Sequence, residues 1–131
     1  MVGVDPADIV QALERHLADA GFPMVKVTAA REGFFPATRL DPQHPWVKWT
    51  VRSIEKTSGQ RTAILPNLGG SLPNDVFSDT LGLPTVWIPH SYASCSQHAP
   101  NEHMLAPVAR DALRLMAGVM WDLGESATLP R

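Results

Sequence analysis

Cysteine is almost missing from this chain of 131 residues: Cys95 stands alone, so no disulfide can form within it. A reducing compartment, the cytoplasm, is the simplest expectation. Strong charge of either sign is also lacking. Lysine and arginine together number 11 against 13 acids, a formal net charge of −2, and they are scattered without a basic stripe. Nucleic acid is therefore not an expected partner. No apolar run approaches the length of a membrane span, and the opening Met-Val-Gly-Val-Asp-Pro lacks the basic-then-apolar layout of a secretion signal. No membrane partner is expected. Paired cysteines, His-x-x-x-His on a helix and the Gly-x-Ser-x-Gly elbow of serine hydrolases are absent as well. Internal repeats are not visible.

What is present reads as an α/β rhythm. Val2 to Val4 look like the end of a strand. Asp5 caps a helix that Pro6 opens, Ile9, Leu13, Leu17 and Ala20 line one face of it, and Gly21 stops it. Met24 to Thr28 alternates as a half-buried strand does. Arg31 to Gln43 is a loop, whose Phe34 and Phe35 are expected to pack locally. Pro45 opens a second helix, with Trp46, Val47, Trp49, Val51 and Ile54 as its buried side, ended by Ser58 and Gly59. Two tryptophans there point to core and not to a ligand.

The composition changes near residue 60, the expected domain boundary. Thr62 to Leu65 reads as a short strand. Asn67-Leu68-Gly69-Gly70-Ser71-Leu72-Pro73 follows and leads into a helix expected to run to about Leu81, with Ser71 as its cap. Glycines before a helix start let an anion approach backbone N–H groups, so a carboxylate or phosphate could sit there; a plain turn is the competing reading. A buried strand from Pro84 then ends in a polar loop carrying Cys95 and His98. Ala106 to Leu123 is a last helix with an apolar stripe of Ala112, Leu115, Met116, Val119 and Leu123, and the tail from Glu125 is expected to fray.

The five histidines, His16, His44, His90, His98 and His103, are spread out. His16 and His44 read as helix-surface and pre-helix residues. His98, with His90 and His103 nearby, is placed where a strand-end crevice would lie. Ser71 has no base beside it in sequence, and Cys95 with His98 is a nucleophile pair in principle only.

Gly69-Gly70-Ser71-Leu72-Pro73, followed by an apolar strand and then His98-Ala99-Pro100-Asn101-Glu102, resembles the C-terminal part of the aminoacylase, carnosinase and succinyl-diaminopimelate desuccinylase family of zinc exopeptidases. The resemblance implies a three-layer α/β/α catalytic domain joined to a ferredoxin-like α+β lid. Residues 1–60 would be the latter part of the lid with the return helix, and residues 61–131 the C-terminal part of the catalytic domain. It implies a hydrolase of amide bonds in small peptides or N-acyl amino acids, with two zinc ions in the complete enzyme and a homo-oligomeric assembly. His98 would be the last metal ligand. Gly69, Gly70 and Ser71 would hold the substrate carboxylate.

The family's upstream ligands, general base and lid arginine have no counterpart here. Ser94-Cys95-Ser96-Gln97 also departs from the usual run before that histidine. The chain is thus expected to be a fragment or one half of a split enzyme, inactive alone. The alternative is a non-catalytic oligomerisation or binding module derived from the family.

Overall fold

A computed structural model describes residues 5–29, 35–66, 68–70, 72–127 and 129–130. Three helices dominate it: α1 (Pro6–Asp19), α2 (Pro45–Ser58) and α3 (Ala106–Glu125). All three stand where helical periodicity places them. The chain divides into two units that interleave along the sequence, Met1–Leu40 with Asn67–Thr85 and Asp41–Pro66 with Val86–Arg131, whereas the sequence alone suggests one boundary near residue 60.

The first unit holds α1. Its C-terminus closes as a Schellman motif: the Phe22 N–H donates to the Leu17 carbonyl at 2.8 Å and Gly21 N–H to Ala18 at 3.1 Å. That closure needs a left-handed residue, and Gly21 supplies it with φ 87°. Ile9 and Leu13 on the expected apolar face are exposed, with Leu17 half-buried.

The helix expected from Pro73 to Leu81 is present over residues 74–80, but most of it is wound as a π-helix. Asn74 and Asp75 begin a turn that continues as a five-residue π-helix, Val76–Thr80. Asn74 Nδ2 donates to Thr38 Oγ1 at 2.5 Å, and Ser78 Oγ to the Asn74 carbonyl at 3.1 Å. Leu83 N–H closes back onto Phe77 at 2.9 Å around Gly82, φ 64°. The Ser78 hydroxyl on the carbonyl four residues back is a local side-chain bond of the kind that distorts an α-helical turn.

The second unit is a helix pair. His44 caps α2, its Nδ1 accepting from Trp46 N–H at 3.2 Å, and Gly59 ends it at φ 71° with its N–H on the Glu55 carbonyl. Val47, Thr50, Ser53 and Ile54 are the buried residues of α2, and Val119 that of α3. Trp46 and Trp49 are half-buried and meet edge to face, centroids 5.7 Å apart. The helices approach closely at Gly118, where an added Cβ would stand 2.2 Å from Thr57 Oγ1.

The α/β expectation is corrected in one respect: among the described residues no strand forms. Residues 24–28, 62–65 and the run from Pro84 carry strand-like patterns but form no β-ladder among the described residues. A strand pattern specifies which side chains share a face; the ladder that satisfies its N–H and C=O groups has to come from a neighbour. Val2 to Val4, Phe34 and Ser71 lie outside the described residues.

Candidate functional site

The loop from His90 to His103 holds three of the five histidines and an unusual density of left-handed backbone. It begins with a single 3₁₀ turn, Ala93–Cys95, then Ser96 (φ 56°), His98 (φ 60°) and Asn101 (φ 64°) all take positive φ. Asparagine and histidine enter that region more readily than most side chains and serine less so, and contacts around the loop hold all three there. Those contacts are explicit. The His98 N–H donates to Glu102 Oε2 at 3.3 Å, Ala99 N–H to Ser96 at 2.9 Å, and His103 N–H to the Cys95 carbonyl at 3.0 Å, which closes the stretch from Cys95 to His103.

The side chains then differ in role. His103 Nδ1 lies 2.8 Å from the Asn101 carbonyl, and its ring meets Tyr92 edge to face with centroids 6.2 Å apart. The carbonyl contact requires the proton on Nδ1, so His103 would offer Nε2 to any ligand. Cys95 is buried and His98 is exposed, so the two sit in different environments and the nucleophile pairing gains no support. His90 is half-buried. His44 is a helix cap and His16 lies in the last turn of α1, so neither belongs to this loop.

Among the described residues no group of three or more His, Cys, Asp or Glu side chains could hold a metal ion. The described residues therefore do not fit a zinc site by themselves. No family model, curated protein or solved structure matches this chain.

Gly69 and Gly70 belong to the first unit and His98 to the second. Both glycines are exposed, neither has a positive φ, and an added Cβ at either would meet nothing within 4 Å among the described residues. Among the described residues, no packing contact requires glycine at these positions. The helical segment whose start would turn backbone donors toward an anion begins at Asn74 and runs only over residues 74–80, so its dipole contribution is small. Ser71, the expected hydroxyl donor, lies outside the described residues.

Sequence reasoning passed over the most connected polar cluster. The Ser53 hydroxyl, only 4% exposed as a residue, donates to Asp122 Oδ2 at 2.7 Å, and Lys56 Nζ lies 2.5 Å from Asp122 Oδ1. The Lys56 and Ser53 hydrogen bonds hold the Asp122 carboxyl below its ordinary value. Alongside runs an open groove of about 280 Å³ between α2 and α3, lined by Trp49, Arg52, Lys56, Asp122 and Glu125 among others. Its charges balance, and the cluster fastens two helices together. The available signal was Ser53 on the same helical face as Val47 and Ile54, a polar residue in a buried stripe.

Proposed function

We propose that the chain is one part of a hydrolase of amide bonds in small peptides or N-acyl amino acids, of the zinc-exopeptidase kind. His98 would be a metal ligand, and the Gly69, Gly70 and Ser71 segment the seat of the substrate carboxylate. The observation that carries this reading is His98 itself: an exposed imidazole on a left-handed residue whose backbone Glu102 fastens. Backbone strain held by its surroundings is characteristic of functional positions. Gly69 and Gly70 support it, since glycines that no packing contact among the described residues requires leave room for a ligand to reach the backbone.

In this reading the remaining ligands and the general base come from outside the chain, as do the strands that would pair with residues 62–65 and the Pro84 run in a three-layer sheet. Zinc, two ions in the complete enzyme, would supply carbonyl polarisation and an activated water. This chain's share is to present one imidazole and to bind and orient a carboxylate.

The test is zinc content and amidohydrolase activity of the chain alone and of the longest reading frame that contains it. Metal and activity confined to the longer form are expected. Tight zinc in the short chain, or a longer form that binds no zinc, would overturn the assignment of His98. The non-catalytic module remains the second reading, and the exposed apolar face of α3 favours it as an assembly element.

A further inference from the structure

α3 is apolar on two opposite faces. At about 100° per residue, Leu115, Val119 and Leu123 share the side toward α2 with Asp122, while Leu113, Ala117, Met120 and Trp121 share the side directly away from it. Leu113 is 72% exposed, Met120 64% and Trp121 69%. A helix apolar on both sides is ordinarily covered on both, and a contiguous stripe of large apolar side chains marks an interaction surface.

The charges beside this stripe say what covers it. The first turn of α3 has no acid and its last turn no base. Arg110 and Arg114 lie in the N-terminal half, with Arg114 Nη2 3.4 Å from Asp111 Oδ1; Glu125 lies at the C-terminal end, while Asp122 is turned toward α2 and bound there by Ser53 and Lys56. That order opposes the helix's own macrodipole, which favours acids at the N-terminus and bases at the C-terminus. An antiparallel neighbour of the same sequence complements it, setting basic half against acidic half twice over. Glu125 also borders the α2 groove with Arg52 and Lys56, so its compensation would be shared.

We infer that this face of α3 binds α3 of a second copy of the chain, antiparallel, about a two-fold axis passing near Ala117. Leu113 then meets Trp121 of the other copy, Met120 packs beside Arg114, and Arg110 reaches Glu125. Ala117, the smallest side chain of the stripe, sits at the crossing and allows close approach. The interface is isologous, so each contact occurs twice. This goes beyond the hydrolase reading and does not depend on it, because the test reads mass and not activity.

The experiment is sedimentation equilibrium of the full chain across a concentration series, with far-UV circular dichroism as the check on folding. The native chain is expected to dimerise. Trp121→Glu, at an exposed position, should remain helical and become monomeric. Arg110→Glu alone and Glu125→Arg alone should each weaken the dimer by about tenfold or more, since each places like charges opposite one another twice. An equimolar mixture of those two variants should dimerise again, because the two chains then pair Glu with Arg at one end and Arg with Glu at the other. A native chain that stays monomeric, a Trp121→Glu chain that still dimerises, or a mixture no tighter than its components would each overturn the inference. A native monomer would leave the face to a different protein.

Discussion

Ser53 and Asp122 lie 69 positions apart and share a 2.7 Å hydrogen bond that fastens α2 to α3. Lys56, one turn further along α2, binds the other carboxylate oxygen but is itself 70% exposed. The two contacts differ accordingly. The Lys56 pair is open to solvent and salt, while Ser53 is enclosed by the helix contact.

Ser53→Ala should therefore cost about 1 kcal/mol in urea unfolding, the usual net value of such a bond. The loss should persist in high salt, whereas any loss in Lys56→Ala should shrink as salt is raised. Equal salt sensitivity of the two variants would contradict this division.

Asp122 titrates below its ordinary value of 3.8 because Lys56 and Ser53 donate to its ionised form. A depressed carboxyl stabilises the fold fully above the unfolded value, and that contribution disappears as pH falls through the lower folded-state value. Acid unfolding of the native chain should show this loss below 3.8. Asp122→Asn should be less stable at neutral pH and should lack that segment of the acid dependence. A parallel acid profile for the two proteins would refute the coupling.

Gly118 and Gly21 are constrained for different reasons. Gly118 is crowded: an added Cβ would press on Thr57, a β-branched side chain with little freedom to turn away. Gly21 has open space but φ 87°. Gly118→Ala should destabilise by about 1–2 kcal/mol, as overpacking outweighs the gain in helix propensity. Thr57→Ser should recover part of that loss by removing one of the crowding atoms. Gly21→Ala should cost about 1 kcal/mol through the backbone alone, and Thr57→Ser should leave it unchanged.

His98 is held at φ 60°, where glycine is at ease. His98→Gly should stabilise the chain by up to about 1 kcal/mol, relief of the left-handed strain exceeding the added flexibility of the unfolded chain. If the hydrolase reading holds, the same change in a longer reading frame that contains this chain should abolish binding of one zinc. Unchanged stability would mean that the loop does not resist this conformation, and unchanged zinc binding would remove His98 from the metal site.

The sequence by itself determined where the helices lie. Pro45 and Gly59 bound α2, Pro107 marks the first turn of α3, Gly21 stops α1, and the apolar spacing between them is local information that the chain carries within a few turns. The candidate loop was legible in the same way, as a cluster of His, Cys and Asn after an apolar run. Tertiary structure decided the rest. Ser53 owes its partner to a residue on a distant helix, and Gly118 is needed only because Thr57 arrives beside it. Strand patterns at 24–28, 62–65 and from Pro84 remain patterns, because pairing is supplied by a neighbour and not by alternation. The segment at Val76–Thr80 likewise departs from the expected α-helix by winding as a π-helix, with the Ser78 hydroxyl on the Asn74 carbonyl. Helices close their hydrogen bonds within a short stretch of sequence, so sequence reveals them. Strands, interhelical locks and binding sites close theirs across space, so only the fold can.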